Sequence, residues 1–187
     1  MRTLFGPTTL GLAAAALLAG CAGGVGPQVV IDPKTSELRV PARVGSVMLR
    51  DISLPAYAQA SEISVRSAGG TLVEKKGAVW ADEPARAMTG AMVRNLSSIT
   101  GAQVAAEPWP LEGYPDVELT VRVEHMFARD DGSITLVGYY AIRREHGRSL
   151  IRQFDITRPP VAEAPDDLAR VHEAAWSDLA ERIARDL

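Results

Sequence analysis

Residues 117–127, which read VELTVRVEHMF, alternate apolar and polar side chains along most of their length. This period-two pattern predicts a long β-strand with one buried face and one face in water. The buried register is predicted to carry Val117, Leu119, Val121, Val123, His125 and Phe127. A histidine on this face is predicted to be a hydrogen-bonded core or rim residue rather than a metal ligand.

Turn sequences on the C-terminal side extend this strand into a sheet. Residues 129–132, RDDG, have hairpin-turn chemistry, and residues 134–142 supply an apolar partner strand. A second turn at residues 145–148 leads to a third strand over residues 150–156. Together these runs predict an antiparallel meander in which Tyr139 and Tyr140 point to opposite faces.

Two amphipathic helices flank the meander. The first is predicted between Asp82 as its N-cap and Gly101 as its end, and the second runs from about Asp166 to the C-terminal region. A sheet with one polar face is stable only when its other face is covered. The predicted fold class is therefore α+β: a mostly antiparallel sheet with a C-terminal meander and two amphipathic helices packed on one face.

Shorter β-prone runs precede the first helix or follow it directly, at residues 28–31, 38–40, 44–52, 62–66, 71–74 and 103–106. Residues 54–57, LPAY, predict an extended loop, and residues 108–110, PWP, predict a rigid one. Exposed apolar side chains in these two loops would indicate contact with a partner protein. The candidate partner-binding residues are Leu54, Pro55, Tyr57, Trp80 and Trp109, although each such residue is more often a core or loop anchor.

The N-terminus has a positive start, an apolar run over residues 10–18 and small residues before a cysteine. These features predict a secretory signal peptide over residues 1–20. Residues 18–21, LAGC, resemble the lipobox of bacterial lipoproteins, which implies that Cys21 is the first mature residue and carries a diacylglyceryl thioether. The alternative is an ordinary signal peptide in which Cys21 has no role.

Composition bounds the remaining chain. Residues 21–27 are predicted to be the lipidated cysteine and a flexible tether, and residues 28–187 a single periplasmic α+β domain. The mature chain has about four more acidic than basic side chains, which argues against a nucleic-acid partner. Because Cys21 is the only cysteine, no internal disulfide can stabilise the fold.

No catalytic motif is recognisable. His125, His146 and His172 lie far apart and lack metal-ligand spacing, and there is neither a Gly-x-Ser-x-Gly nor a phosphate-binding Gly pattern. His146 is predicted to be exposed in a turn, and His172 to lie at a helix boundary. The sequence therefore predicts a non-enzyme with no catalytic residue, no metal site and no cofactor.

Several pieces in order resemble the auxiliary lipoproteins of MCE-linked ABC-type transport systems, the PqiC-like family. They are the lipobox ending at Cys21, residues 30–33 (VIDP), residues 54–57 (LPAY) with the strand after them, residues 80–84 (WADEP), and the C-terminal helix over residues 174–184. The resemblance covers nearly the whole mature chain. It implies a non-catalytic docking or adaptor role in intermembrane phospholipid transport, with MCE-domain or ABC transporter components as partners.

The resemblance also implies a location. Ala22, rather than Asp, follows the cysteine, which by lipoprotein sorting rules favours an outer-membrane anchor with the domain facing the periplasm. A homo-oligomeric ring would suit a collar on a transport conduit. Two other functions remain open at this point: a structural or assembly lipoprotein of another outer-membrane complex, and a periplasmic hydrolase with a dispersed active site.

Overall fold

The computed structural model describes residues 28–32, 35–160 and 165–187, so the signal peptide, Cys21 and the tether lie outside the described residues. The described part contains eight strands and three helices. The strands are β1 (Gln28–Val29), β2 (Ser46–Leu49), β3 (Glu62–Arg66), β4 (Leu72–Trp80), β5 (Gln103–Ala106), β6 (Val117–Arg129), β7 (Ile134–Arg144) and β8 (Leu150–Arg158). The helices are α1 (Ala56–Gln59), α2 (Pro84–Thr100) and α3 (Pro165–Asp186).

Strand β6 organises one mixed sheet. One edge of β6 pairs in parallel with β2 near Val117 and with β3 near Ala128, so two strands share the two halves of a single edge. The other edge pairs antiparallel with β7, which pairs with β8. Strands β4 and β1 extend the sheet beyond β3, and β5 extends it beyond β2. The antiparallel meander predicted from residues 117–156 is confirmed.

Helices α2 and α3 pack against each other on one face of the sheet, as the α+β prediction requires. Their apolar stripes meet the inward residues of the strands in one hydrophobic core. Fully buried members include Leu49, Met88, Leu96, Leu119, Leu136, Ile142 and Leu179. Gly101 ends α2 in the left-handed region at φ 72°, where glycine has no steric penalty.

A β-bulge in β6 overturns part of the predicted register. Val123 pairs with Gly138 but His125 pairs with Val137, so Glu124 is an extra residue in β6. The faces therefore exchange beyond this point. Met126 and Ala128 join the core, whereas Phe127 lies outside the core cluster beneath the Arg66 guanidinium. His125 is exposed, so its predicted place on the core face is wrong.

Other boundaries also differ from the sequence prediction. Residues 38–40 form no strand and instead dock on the end of α2, where the Val40 amide donates to the Ile99 carbonyl. Helix α2 begins at Pro84 with Glu83 at the N-cap, one residue later than predicted, and Asp82 accepts the Glu83 amide. Tyr140 is buried and Tyr139 points to the other face, as the alternation predicts.

Candidate partner-binding surface

Residues 54–59 form a short clamp on the β6 bulge rather than an exposed apolar loop. Leu54 is buried in the core, and Pro55 precedes the single turn of α1. The half-buried Tyr57 accepts a hydrogen bond at its hydroxyl from the Met126 amide, over 3.1 Å, and burial raises the pKa of Tyr57. The Gln59 amide donates to the Leu54 carbonyl and closes the turn. This segment holds the bulge in place and offers little apolar surface.

Trp80 is buried and meets the ring of His172 edge-on, with the ring centroids 5.0 Å apart. His172 is 1% exposed, so its predicted position at a helix boundary is wrong. Among the described residues neither ring nitrogen of His172 has a hydrogen-bond partner. Burial lowers the pKa of His172 to about 3, and the imidazole is therefore neutral in the folded protein. Trp80 and His172 form a structural joint between β4 and α3.

The segment between β5 and β6, residues 107–116, is here termed the aromatic loop. Its first residue is fixed by the Glu107 amide, which donates to the Leu49 carbonyl, and by the Glu107 carboxylate, which accepts the Asp51 amide. Its last residue is fixed by Asp116, whose carboxylate accepts the amides of Gly45 and Ser46 over 2.8 and 2.9 Å. These two backbone donors lower the pKa of Asp116. Both ends of the loop are thus held against the flanks of β2.

Between its anchored ends the aromatic loop exposes apolar side chains. Tyr114 is 86% exposed and Leu111 is 50% exposed, while Trp109 is half-buried. The indole N–H of Trp109 is buried with no hydrogen-bond partner in the described part of the chain. Sequence reasoning identified Trp109 but missed Leu111 and Tyr114. The signal available was an apolar residue and an aromatic residue inside a segment that is rich in proline and glycine.

A row of charged side chains lies beside this loop on the sheet face opposite the helices. Glu118 accepts hydrogen bonds from Arg50 and Arg143, and Arg50 also faces Glu107 at 3.6 Å. Burial opposes ionisation of Glu118, but the hydrogen bonds from the two guanidinium groups outweigh it and lower the pKa of Glu118. The row is internally neutralised, which leaves the apolar side chains as the distinctive feature of this region.

The five candidate residues do not form one surface. Leu54 and Trp80 belong to the core, which excludes direct contact with a partner in this structure, whereas Pro55, Tyr57 and Trp109 retain partial exposure. The three histidines also lie in unrelated surroundings: His125 and His146 are exposed and His172 is buried. Within the described ranges, no group of three His, Cys, Asp or Glu residues could hold a metal ion. No helix in those ranges is long and apolar enough to span a bilayer.

Solved structures share this fold. The chain resembles the crystal structure of an uncharacterised protein with a TM-score of 0.68 and 19% identity, covering 84% of this chain and 98% of that one. It also resembles the crystal structure of protein XCC0632 from Xanthomonas campestris, described under the family name DUF330, with a TM-score of 0.67 and 19% identity. That match covers 83% of this chain and 92% of the Xanthomonas protein. At this identity the likeness concerns the fold alone.

Comparison of sequences gives the family. No curated protein matches the chain. A family model described as "ABC-type transport auxiliary lipoprotein component" matches residues 30–184, which include every strand except β1 and nearly all of α3. This agreement confirms the family that the order of sequence pieces predicted. The chain therefore belongs to the family of ABC-type transport auxiliary lipoprotein components.

Proposed function

We propose that this chain is a membrane-anchored, non-catalytic docking component of an ABC/MCE-type system that moves phospholipids between membranes. The family match over residues 30–184 is the observation that carries the proposal. The lipobox-like residues 18–21 support it because they supply a membrane anchor at Cys21. Two or more acyl chains hold a protein stably on a membrane, at about 0.8 kcal/mol for each buried CH₂ group.

The proposed location is the periplasmic side of the outer membrane, supported by Ala22 after the cysteine. In this proposal residues 28–187 act as one domain on a short tether, and an MCE-domain protein or ABC transporter component docks on it. Several copies in a ring would serve the same role. The alternative, a brace for another outer-membrane machine, would use the same anchor and fold and differs only in its partner.

The aromatic loop is the proposed contact surface. Tyr114 and Leu111 present apolar area on a segment whose two ends are fixed, so docking requires little additional ordering. Aromatic side chains are enriched at protein interfaces and often dominate their binding energy. Trp109, half-buried at the base of the loop, supports this surface with an indole N–H free to pair with a partner.

Replacement of Cys21 by serine is expected to remove the anchor. The wild-type chain should sediment with membranes and extract only with detergent, whereas Cys21→Ser should be soluble in the periplasm or accumulate as the unprocessed precursor. Fractionation and the mass of the mature chain measure both results. A Cys21→Ser chain that is processed and still sediments quantitatively with membranes would rule out the lipid anchor.

Charge placed on the aromatic loop should prevent docking without unfolding the domain. Leu111→Asp combined with Tyr114→Asp is expected to reduce co-purification of an MCE-domain protein at least about tenfold, since interface hot spots cost 2 kcal/mol or more. Surface substitutions usually change stability by less than about 0.5 kcal/mol, so the melting temperature should stay close to that of the wild type. Val73→Asp is the matched control because Val73 is 49% exposed on β4. Equal recovery with the loop variant and the control would exclude this surface.

A further inference from the structure

A cleft of about 830 Å³ opens where β2 begins, β7 ends and β8 begins. Four arginines line it, Arg43, Arg144, Arg148 and Arg152, together with His146. This group is termed the arginine pocket. Such a concentration of guanidinium groups is notable in a chain whose net charge is −3.

Most of the positive charge in the arginine pocket is not neutralised. Arg144 donates to the carbonyl oxygens of Arg148 and Asp186, over 2.8 and 2.5 Å, so neutral acceptors hold it in position. Arg152 lies 3.6 Å from the carboxylate of Asp186, which also accepts the hydroxyl of Tyr140. In the described part of the chain, the side chains of Arg43 and Arg148 make no ion pair or hydrogen bond. Their charges are therefore available to a ligand.

The residue types indicate the chemistry of that ligand. Arginine offers a planar set of donors that matches phosphate and carboxylate oxygens in pairs, which lysine cannot do. Apolar side chains border the guanidinium groups: Ile151 is 67% exposed, and Val44 and Leu150 are half-buried. A phosphate group attached to an apolar or neutral moiety satisfies both parts of this lining.

The arginine pocket lies far from the tether. Arg144 pairs with Val117 at the start of β6, whereas β1 joins the sheet through β4 and β3, beside the C-terminal half of β6. With about 3.3 Å per residue along a strand and 4.8 Å between strands, the two positions are roughly 30 Å apart. The pocket therefore opens at the opposite corner of the sheet from the point where the tether would leave.

We propose that the arginine pocket is a phosphate-group binding site in which Arg43 and Arg148 close on an anion beside the preset Arg144. The proposal goes beyond the docking role and does not depend on it. Two sources share this chemistry, the headgroup of an anionic phospholipid and free phosphate. Ile151 and Leu150 favour a headgroup, since free phosphate has no apolar part to contact them.

The test uses the mature lipidated chain in a neutral detergent. Dihexanoyl phosphatidylglycerol, dihexanoyl phosphatidylcholine and inorganic phosphate are titrated by calorimetry into wild type, Arg43→Gln/Arg148→Gln, and the control Arg122→Gln. Arg122 is exposed on β6 and lies outside the pocket. Charge-assisted hydrogen bonds are the stronger class, so the double variant should bind the anionic probe at least about tenfold more weakly. The control should match wild type, and thermal melting verifies that all three chains fold.

Each arm of the titration has a definite meaning. Saturable binding of phosphatidylglycerol, with weak binding of inorganic phosphate, supports the site and identifies a headgroup. Equal affinity for both anions supports the site and identifies free phosphate. Absence of saturable anion binding, or an equal loss in the Arg122→Gln control, overturns the proposal. If anion binding fails while an MCE-domain protein still co-purifies, the docking role stands alone, and the reverse result leaves the phosphate site alone.

Discussion

Gly138→Ala is expected to lower the free energy of unfolding by about 3 kcal/mol, the largest single-atom effect in the fold. A Cβ at this position would lie 2.1 Å from the carbonyl oxygen of Arg122 and 2.9 Å from the ring of Phe154. The first neighbour is backbone of the central strand, and the second is a core side chain that fills the space beside the glycine. Neither can move without opening the pairing at the β6 bulge.

Urea denaturation of Gly138→Ala measures this loss as a lower midpoint. Two other glycines give matched controls. Gly69→Ala should leave the midpoint within about 0.5 kcal/mol, because the nearest atom to its Cβ is the Ser67 hydroxyl at 3.8 Å. Gly90→Ala, inside α2, should raise stability by about 0.5–1 kcal/mol through helix propensity. A midpoint for Gly138→Ala equal to that of Gly69→Ala would contradict the bulge geometry.

The second large effect is acid sensitivity caused by His172. Its pKa is about 6.5 in an unfolded chain and about 3 in the folded one, because burial disfavours the imidazolium. Below pH 6.5 the unfolded chain therefore binds a proton that the folded chain does not bind. Stability falls as the pH falls through this window, and the loss ends near pH 3. Between pH 7 and pH 4.5 the wild type should lose about 2–3 kcal/mol.

His172→Phe should remove this dependence, because the benzyl side chain keeps an edge-on ring contact with Trp80 and carries no proton site. Denaturant midpoints at half-unit pH intervals from 7 to 4.5 give the slope. His146→Gln is the matched control: His146 is 91% exposed, so its variant should keep the wild-type slope. Persistence of the full slope in His172→Phe would assign the acid sensitivity to other groups. Carboxylates with a lowered pKa, such as Asp82 and Asp116, stay ionised over this range.

The sheet's meander and the two helices were predictable because their signals are local. Alternation over residues 117–123, the turn at residues 129–132 and the glycine at position 101 each act within a few residues. The parallel pairings of β2 and β3 with β6 were not predictable in the same way. They depend on packing between distant segments, which leaves no pattern in either strand alone.

The bulge shows where local reasoning fails. The wet register continues through Glu124 without a break, but one inserted residue moves His125 outward and Phe127 off the core face. A paired signal does exist in Gly138, since its strand position tolerates no side chain, yet glycine in a strand has several explanations. The burial of His172 was missed for a related reason: its cover comes from Trp80, far away in sequence.

The candidate surface was predictable only in part. Pro108–Pro110 marked the aromatic loop, but exposure of Leu111 and Tyr114 follows from how Glu107 and Asp116 fix its ends. The arginine pocket was not predictable at all. Arg43 lies about one hundred residues before Arg144 in the sequence, and only the sheet brings them to one corner.

The central claim, docking to a lipid-transport system, is tested most directly by identifying what the lipidated wild-type chain holds in its own membranes. After mild cross-linking, the chain is purified from detergent extracts and its bound proteins are identified by mass spectrometry, with Cys21→Ser as the unanchored comparison. The account predicts an MCE-domain protein or ABC transporter subunits in stoichiometric amount with the wild type. Recovery of a different outer-membrane complex, or of this chain with no envelope partner, would contradict it.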